Sequence, residues 1–261
     1  MESIFRLGFA LGIFSLMVIW ELISPRRKLS LSRKQRWPVN LGLALSNILL
    51  TRFTVGAITF LTAIYAQEQG LGLLNLVTIP NSLAIIITLF SLDFAIYFQH
   101  IISHKWAWLW RFHQVHHSDI DIDVTTAVRF HPVEIGLSLI YKLIWILLLG
   151  ANPIAVIAFE IILNGTATFN HSNVNIPLKI DKALRWLIVT PDMHRIHHST
   201  LRIEADSNYG FSISLWDRVF KTYTEQPKDS QQTMDIGLKN LRKPRQVSFL
   251  KLLSLPIKEF R

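Results

Sequence analysis

Half of the 261 residues are apolar and 17% are charged, whereas a soluble domain carries nearer a quarter of charged residues. The mean hydropathy of +0.32 excludes a disordered chain and makes the bilayer the leading solvent. The chain has no cysteine, which excludes disulfides, thiolate zinc sites, iron–sulfur clusters and a cysteine nucleophile, so any metal must be held by nitrogen and oxygen. The 27 Lys and Arg against 18 Asp and Glu give a net charge of +9. These cations lie beside long apolar runs, as in the cytosolic loops of membrane proteins, and no groove-reading motif points to nucleic acid.

The first apolar run, residues 4–23, is long enough to cross a bilayer at roughly 20 residues per crossing. Glu2 ahead of it and ELISPRRK behind it do not fit a cleaved signal peptide, so the run is expected to be a retained anchor. RRKLSLSRKQR, from Arg26 to Arg36, packs six cations into eleven residues, and the positive-inside rule places it in the cytoplasm. A second run over 41–66 and a third over 76–102 are joined by AQEQGLGLLN, which holds Glu68 but no Lys or Arg and is expected outside. The third run returns to the cytoplasm, bringing His100 and His104 to its inner end.

Residues 133–149 and 154–169 form an apolar pair broken by GANP. Each leg is only about 17 residues, so a hairpin dipping from the cytoplasmic face stands beside two full crossings. From 173 onward no run can span. That part reads as short cytosolic helices ending in SFLKLLSLPIKEF, a basic amphipathic stretch suited either to the membrane surface or to packing on the protein. The expected fold is an all-α integral membrane protein with about three transmembrane helices, a helical hairpin and a cytosolic histidine-rich helical cap. It forms one domain over 1–261, with an anchor region at 1–75, a catalytic core at 76–225 and a basic tail at 226–261.

Charges inside apolar runs are costly, about 2.5–3.5 kcal/mol each on insertion scales. Folding the hairpin about GANP brings Lys142 level with Glu160, and the two are expected to pair. Arg52 and Asp93 fall at comparable depth on the second and third runs.

All ten histidines lie between His100 and His198, a concentration that random placement gives less than about once in ten thousand chains. They form three clusters, HIISH (His100, His104), HQVHH (His113, His116, His117) and HRIHH (His194, His197, His198), with His131 and His171 between. On helices these spacings bring the imidazoles of each cluster to one face, and three faces can converge. Two metals with open positions need roughly eight to ten protein ligands. The HExxH motif and the Glu-x-x-His pattern of carboxylate-bridged sites are both absent, which leaves a histidine-rich dimetal centre. His171 in TFNHSN is a further ligand candidate. His131, in RFHPVE ahead of Pro132, is either a ligand or a structural cap.

The three clusters, with RFHPVE, NHSN and DSNYGFSISLWDRVF, resemble the fatty acid hydroxylase/sterol desaturase superfamily over roughly residues 100–220. The resemblance implies a non-haem di-iron centre that uses O2 and two electrons to hydroxylate or desaturate a lipid C–H bond, with the three clusters as ligands and His171 joining them. The three-residue gap in HIISH is similar to the sterol-desaturase side of the superfamily. Substrate tails would rise from the bilayer between the apolar runs. The substrate class then spans sterols, fatty acyl lipids, alkylglycerols and carotenoids.

Around the ligands, Asp93 is either a residue behind the site or substrate channel, or a partner for Arg52. Tyr97 either lines the cavity or sits in an interfacial belt. Asp206, Asn208 and Tyr209, in EADSNYGF, suit the orienting of ligating imidazoles through the other ring N–H. No fused electron-transfer module is visible, so reductant is expected from a separate ferredoxin or b-type cytochrome, received on basic cytosolic surface near Arg195 and Lys221. A histidine-rich metal transporter is the rival, but its histidines would be spread through the depth of the spans.

Overall fold

The computed structural model describes residues 2–55, 57–243 and 248–257, with side chains for all of these except 2–7 and 51–55. The elements are helices: α1 (Glu2–Ile23), α2 (Arg33–Val55), α3 (Ile58–Glu68), α4 (Asn81–Lys105), α5 (Ala107–His117), α6 (Pro132–Leu149), α7 (Pro153–Asn170), α8 (Leu178–Leu184), α9 (Pro191–His197), α10 (Arg202–Ala205), α11 (Leu215–Val219) and α12 (Phe249–Ser254). Extended pairing among the described residues is confined to three isolated bridges, such as Pro25 with Val174.

Among the described residues three helices are long and apolar enough to cross a membrane: α4 with 25 residues, and α6 and α7 with 18 each. At 1.5 Å per residue, 18 residues reach about 27 Å, close to the hydrocarbon thickness. The residues they turn outward are apolar, among them Ile86, Phe90, Ile140, Ile144, Leu148 and Ile162. Such a continuous exposed apolar shell fits lipid contact.

The second expected run is not one helix. α2 ends at Val55 and α3 restarts at Ile58, packing against both α6 and α7. TRFTVGA at the break concentrates β-branched residues and a glycine, poor helix formers. The third run becomes helical only from Asn81, after Pro80.

The turn between α6 and α7 is defined chemically. Gly150 ends α6 in the left-handed region, φ 68°, with its N–H donating to the Ile146 and Leu147 carbonyls. Asn152 caps α7 by accepting from the Ile154 and Ala155 N–H groups, and Pro153 takes the first helical position. Gly72 presses against this turn, where a Cβ would lie 2.1 Å from the Gly150 nitrogen. Asn152 also donates to Asn81, so the far ends of α4, α6 and α7 are tied together. Lys142 and Glu160 face one another across the hairpin at 3.7 Å. The Arg52 side chain lies outside the described residues, and Asp93 accepts from Trp216 Nε1 at 2.8 Å.

At the histidine end, a buried polar network braces the chain. Arg36 of α2 makes a two-pronged contact with Asp119, both bonds 2.8 Å, and also bonds Asp123. Asn40 donates to Asp119 and accepts from Arg129. Glu21, near the end of α1, accepts from the Val124 and Asn173 N–H groups at 2.7 and 2.6 Å. α1 and α2 therefore hold the two loops that follow the second histidine cluster and α7.

The tail packs on the protein. Leu252 and Leu255 are buried against Leu43, Val115 and Leu241, while Leu250 and Ile257 stay exposed. Residues 258–261 of the expected amphipathic stretch lie outside the described residues.

Two stability predictions follow from these pairs. Arg36→Met strands two buried carboxylates and should cost about 3–5 kcal/mol, read as a fall in thermal midpoint in detergent, and an unchanged midpoint contradicts the bracing. Glu160→Gln should lower the midpoint by leaving Lys142 unpaired, and the Lys142→Met/Glu160→Gln double variant should recover it. A double variant no better than the single one would exclude the pair.

Candidate metal centre

Nine of the ten histidines gather at one end of the helices, in two neighbouring groups. His100, His104, His113, His117 and His197 form the first, and His116, His171, His194 and His198 the second; all nine are buried, and within each group the ligating atoms lie within 4.8 Å of one another. His117 of the first stacks on His198 of the second with ring centroids 4.5 Å apart.

The sorting follows helical geometry. In an H-x-x-H-H run the first and last residues are four apart, about 40° around the helix, while the middle one lies about 100° from the last. His113 and His117 accordingly join the first group and His116 the second, whereas His194 and His198 join the second and His197 the first. HIISH keeps to the first group, as its spacing alone implied, but the two H-x-x-H-H clusters do not each point in one direction. Each of those two serves both groups.

The ring nitrogens divide their work. Nδ1 of His100 bonds the Tyr209 carbonyl at 2.8 Å, that of His197 the Ser207 carbonyl at 2.8 Å, and that of His171 the Ala167 carbonyl at 2.8 Å. Nδ1 of His116 bonds the Arg129 carbonyl, and Nδ1 of His113 bonds Glu134 at 2.6 Å. Carbonyls and carboxylates accept, so these Nδ1 atoms carry the proton and Nε2 presents a lone pair inward. Nε2 of His100, His113 and His197 are buried without a partner. Other Nε2 atoms face each other, His104 with His117 at 3.1 Å and His171 with both His116 and His194 at 3.0 Å.

Nitrogens bound at about 2.1 Å to one cation lie roughly 3.0 Å apart when cis-octahedral and 3.4 Å apart when tetrahedral. The spacing and the orphaned lone pairs therefore fit two borderline cations held by nitrogen, with Nδ1 partners fixing the tautomer of five of the nine rings.

His131 stands apart from both groups. Its Nδ1 caps α6 by accepting from the Val133 N–H at 3.1 Å, and its Nε2 bonds the Leu253 carbonyl, so both nitrogens are spent and it is the cap rather than a ligand. Asp93 bonds Trp216, and Tyr97 bonds Thr222 at 2.9 Å and stacks on Phe220, so these two side chains are engaged away from the imidazoles.

Asp206 accepts from Lys105, Arg202 and Tyr209 and lies 3.6 Å from His104 Nδ1, too far for a hydrogen bond but close enough to favour its N–H. Asn208 touches no histidine. Its amide ties the Met193 and Thr224 carbonyls and accepts from the Thr224 N–H, anchoring the end of α9. Arg195 is fully buried and bonds Asp192 and Gln231, so it forms no docking surface; Lys221 is exposed.

Sequence reasoning passed over Glu134, although RFHPVE contains it. With His131 as cap, Glu134 falls in the first turn of α6, where it meets His113. Tyr209 packs its ring against His100, His104 and His197, and its N–H donates to Asp217.

A cavity of about 290 Å³ opens beside the first group. It begins at His100 and His113 and runs between α2, α4, α6 and α7 to Lys142, with Ile96, Phe130 and Leu163 among its apolar walls.

A family model described as fatty acid hydroxylase matches residues 85–222, more than half of the chain and all ten histidines. This chain belongs to the fatty acid hydroxylase family. Among curated fatty acid hydroxylase relatives, ornithine lipid hydroxylase OlsE of Rhizobium tropici is 29% identical over 61% of this chain and 46% of its own length. Alkylglycerol monooxygenase of Xenopus tropicalis is 32% identical over 52% of this chain and 30% of its own length. Cholesterol 25-hydroxylase of Homo sapiens is 26% identical over 51% and 48%. The chain thus spans less than half the length of these relatives. No solved structure matches it.

Burial pushes His171 down to about 4 and His197 to about 3, and burial with neighbouring imidazoles drives His116, His117, His194 and His198 the same way. An unfolded histidine takes its proton near 6.5. Below that pH the unfolded chain of this fatty acid hydroxylase family member binds more protons than the folded one, so stability present above about 6.5 is lost as the pH falls toward 4. Each such histidine contributes up to about 1.4 kcal/mol per pH unit. The thermal midpoint of the chelator-treated protein should be level above pH 7 and fall steeply through this window, and a level profile there would contradict the buried neutral imidazoles.

Proposed function

We propose that this chain is a membrane-bound oxygenase that holds two irons in its nine-histidine centre and uses O2 with two external electrons to hydroxylate or desaturate a C–H bond of a lipid. For hydroxylation the balance is R–H + O2 + 2 e⁻ + 2 H⁺ → R–OH + H2O. The observation that carries the reading is the convergence of nine buried imidazoles, five of them with Nδ1 bonded to an acceptor, beside an apolar cavity. The three relatives are named for an ornithine lipid, an alkylglycerol and cholesterol, all of them lipids.

When bound, the irons supply reductive activation of O2, which organic side chains do not provide. The protein's part is positional. The Nδ1 contacts of His100, His113, His116, His171 and His197 hold those rings so that Nε2 would ligate without rearrangement, and Glu134 strengthens His113 as a ligand through its hydrogen bond. The cavity walls exclude water and bring a substrate C–H bond to His100 and His113. The cationic stretch from Arg26 to Arg36 supports the cytoplasm as the side of the site. A separate ferredoxin or b-type cytochrome delivers the electrons there.

Protein purified without oxygen should contain two irons per chain, consume O2 on addition of lipid and reductant, and place ¹⁸O from ¹⁸O2 in a hydroxylated product. Zinc that cannot be replaced by active iron would refute the reading. His197→Ala should abolish turnover. Glu134→Gln should retain the fold and weaken iron binding about ten- to a hundredfold, and an unchanged affinity would remove Glu134 from the centre.

A further inference from the structure

We infer that the cavity recognises an uncharged oxygen of the lipid, a hydroxyl or an ester or amide carbonyl, through donors set along its wall and floor, and that this contact selects which C–H bond meets the histidines. The inference rests on the oxygenase reading above and adds the class of substrate.

Down α6, Glu134, Ser138 and Lys142 recur every fourth residue and so share one face, and all three line the cavity. Opposite them stand Gln99 of α4 and Asn164 of α7. A channel for bare hydrocarbon gains nothing from such a stripe, since each polar group withdrawn from water into apolar surroundings costs free energy unless it finds a partner. Ionisable residues at membrane depth are the most costly of these and as a rule mark function.

Beside the histidines Glu134 keeps one carboxylate oxygen unspent, an acceptor that a hydroxyl could satisfy; farther down the stripe, Gln99 and Lys142 offer donors. Ser138 Oγ donates to Gln99 Oε1 at 3.2 Å, which turns the Gln99 carboxamide N–H groups toward other use. Lys142 has Glu160 at 3.7 Å as its charge partner, beyond hydrogen-bond reach, so its ammonium N–H groups stay available. Because Glu160 offsets the Lys142 charge and Glu134 adds a second carboxylate, the pocket favours a neutral acceptor over an anion. Lys142 is eight residues below Glu134, about 12 Å along α6, and its side chain leans back toward the histidines. An oxygen held there therefore lies no more than about 12 Å from the level of the reacting C–H bond.

The test is equilibrium binding to iron-loaded protein in nanodiscs under argon, where no turnover occurs, with radiolabelled 1-hexadecanol, hexadecane and hexadecanoate as probes. The alcohol should bind at least about tenfold more tightly than the alkane and the carboxylate. That preference should collapse in Lys142→Met/Glu160→Gln, which removes the pair without leaving a lone charge, and shrink in Gln99→Leu. Equal binding of alcohol and alkane to the wild type, stronger binding of hexadecanoate, or a preference that survives the double variant would each overturn it. Iron content and O2 uptake are measured separately, so failure of the oxygenase reading shows as lost iron or oxygen chemistry while the binding comparison stands by itself.

Discussion

Nine buried imidazoles packed into two neighbouring groups, with several inward-facing ring nitrogens 3.0–3.3 Å apart, are the constraint on which the rest of this molecule depends. Lone pairs at that distance repel, and several Nε2 atoms have no partner at all. The two cations proposed above would turn this repulsion into attraction. Everything around the centre serves to keep the rings neutral, correctly protonated and close.

That bracing comes from distant parts of the chain. α1 and α2, which composition marks as an anchor region, send Glu21 and Arg36 into the loops beside the second cluster and α7. The C-terminal α12 packs under α5 through Leu252 and Leu255 and receives the His131 contact. The distal ties at Gly72, Gly150 and Asn152 hold α4, α6 and α7 in register. A cavity lined by these three helices and α2 can present a substrate tail at a fixed depth while the outer faces of the helices meet lipid.

Much of this was legible in the residues. The 3- and 4-residue histidine spacings demanded helices and a shared centre, and Lys142 with Glu160 followed from folding the hairpin at GANP. The division of each H-x-x-H-H run between two groups was not evident, because ridge spacing says which residues neighbour one another but not how two helices straddle two centres. His131 remained ambiguous since a capping and a ligating imidazole share the same residue type, and only the Val133 and Leu253 contacts decide it. Glu134 was hidden for a related reason, its partner lying 21 residues away in sequence; Tyr209 was among the expected orienting residues, but that it acts on His100 through its backbone carbonyl is no property of its side chain. Arg195 reads as a surface cation until its pairing with Asp192 and Gln231 is seen.

The central claim is tested most directly by X-ray absorption at the iron edge on the anaerobically purified protein, together with iron content. Two irons per chain in a first shell of light atoms, with the outer-shell scattering of several imidazoles on each and no sulfur, is the predicted result. A single metal, or a shell with few imidazoles, would contradict the two-group arrangement.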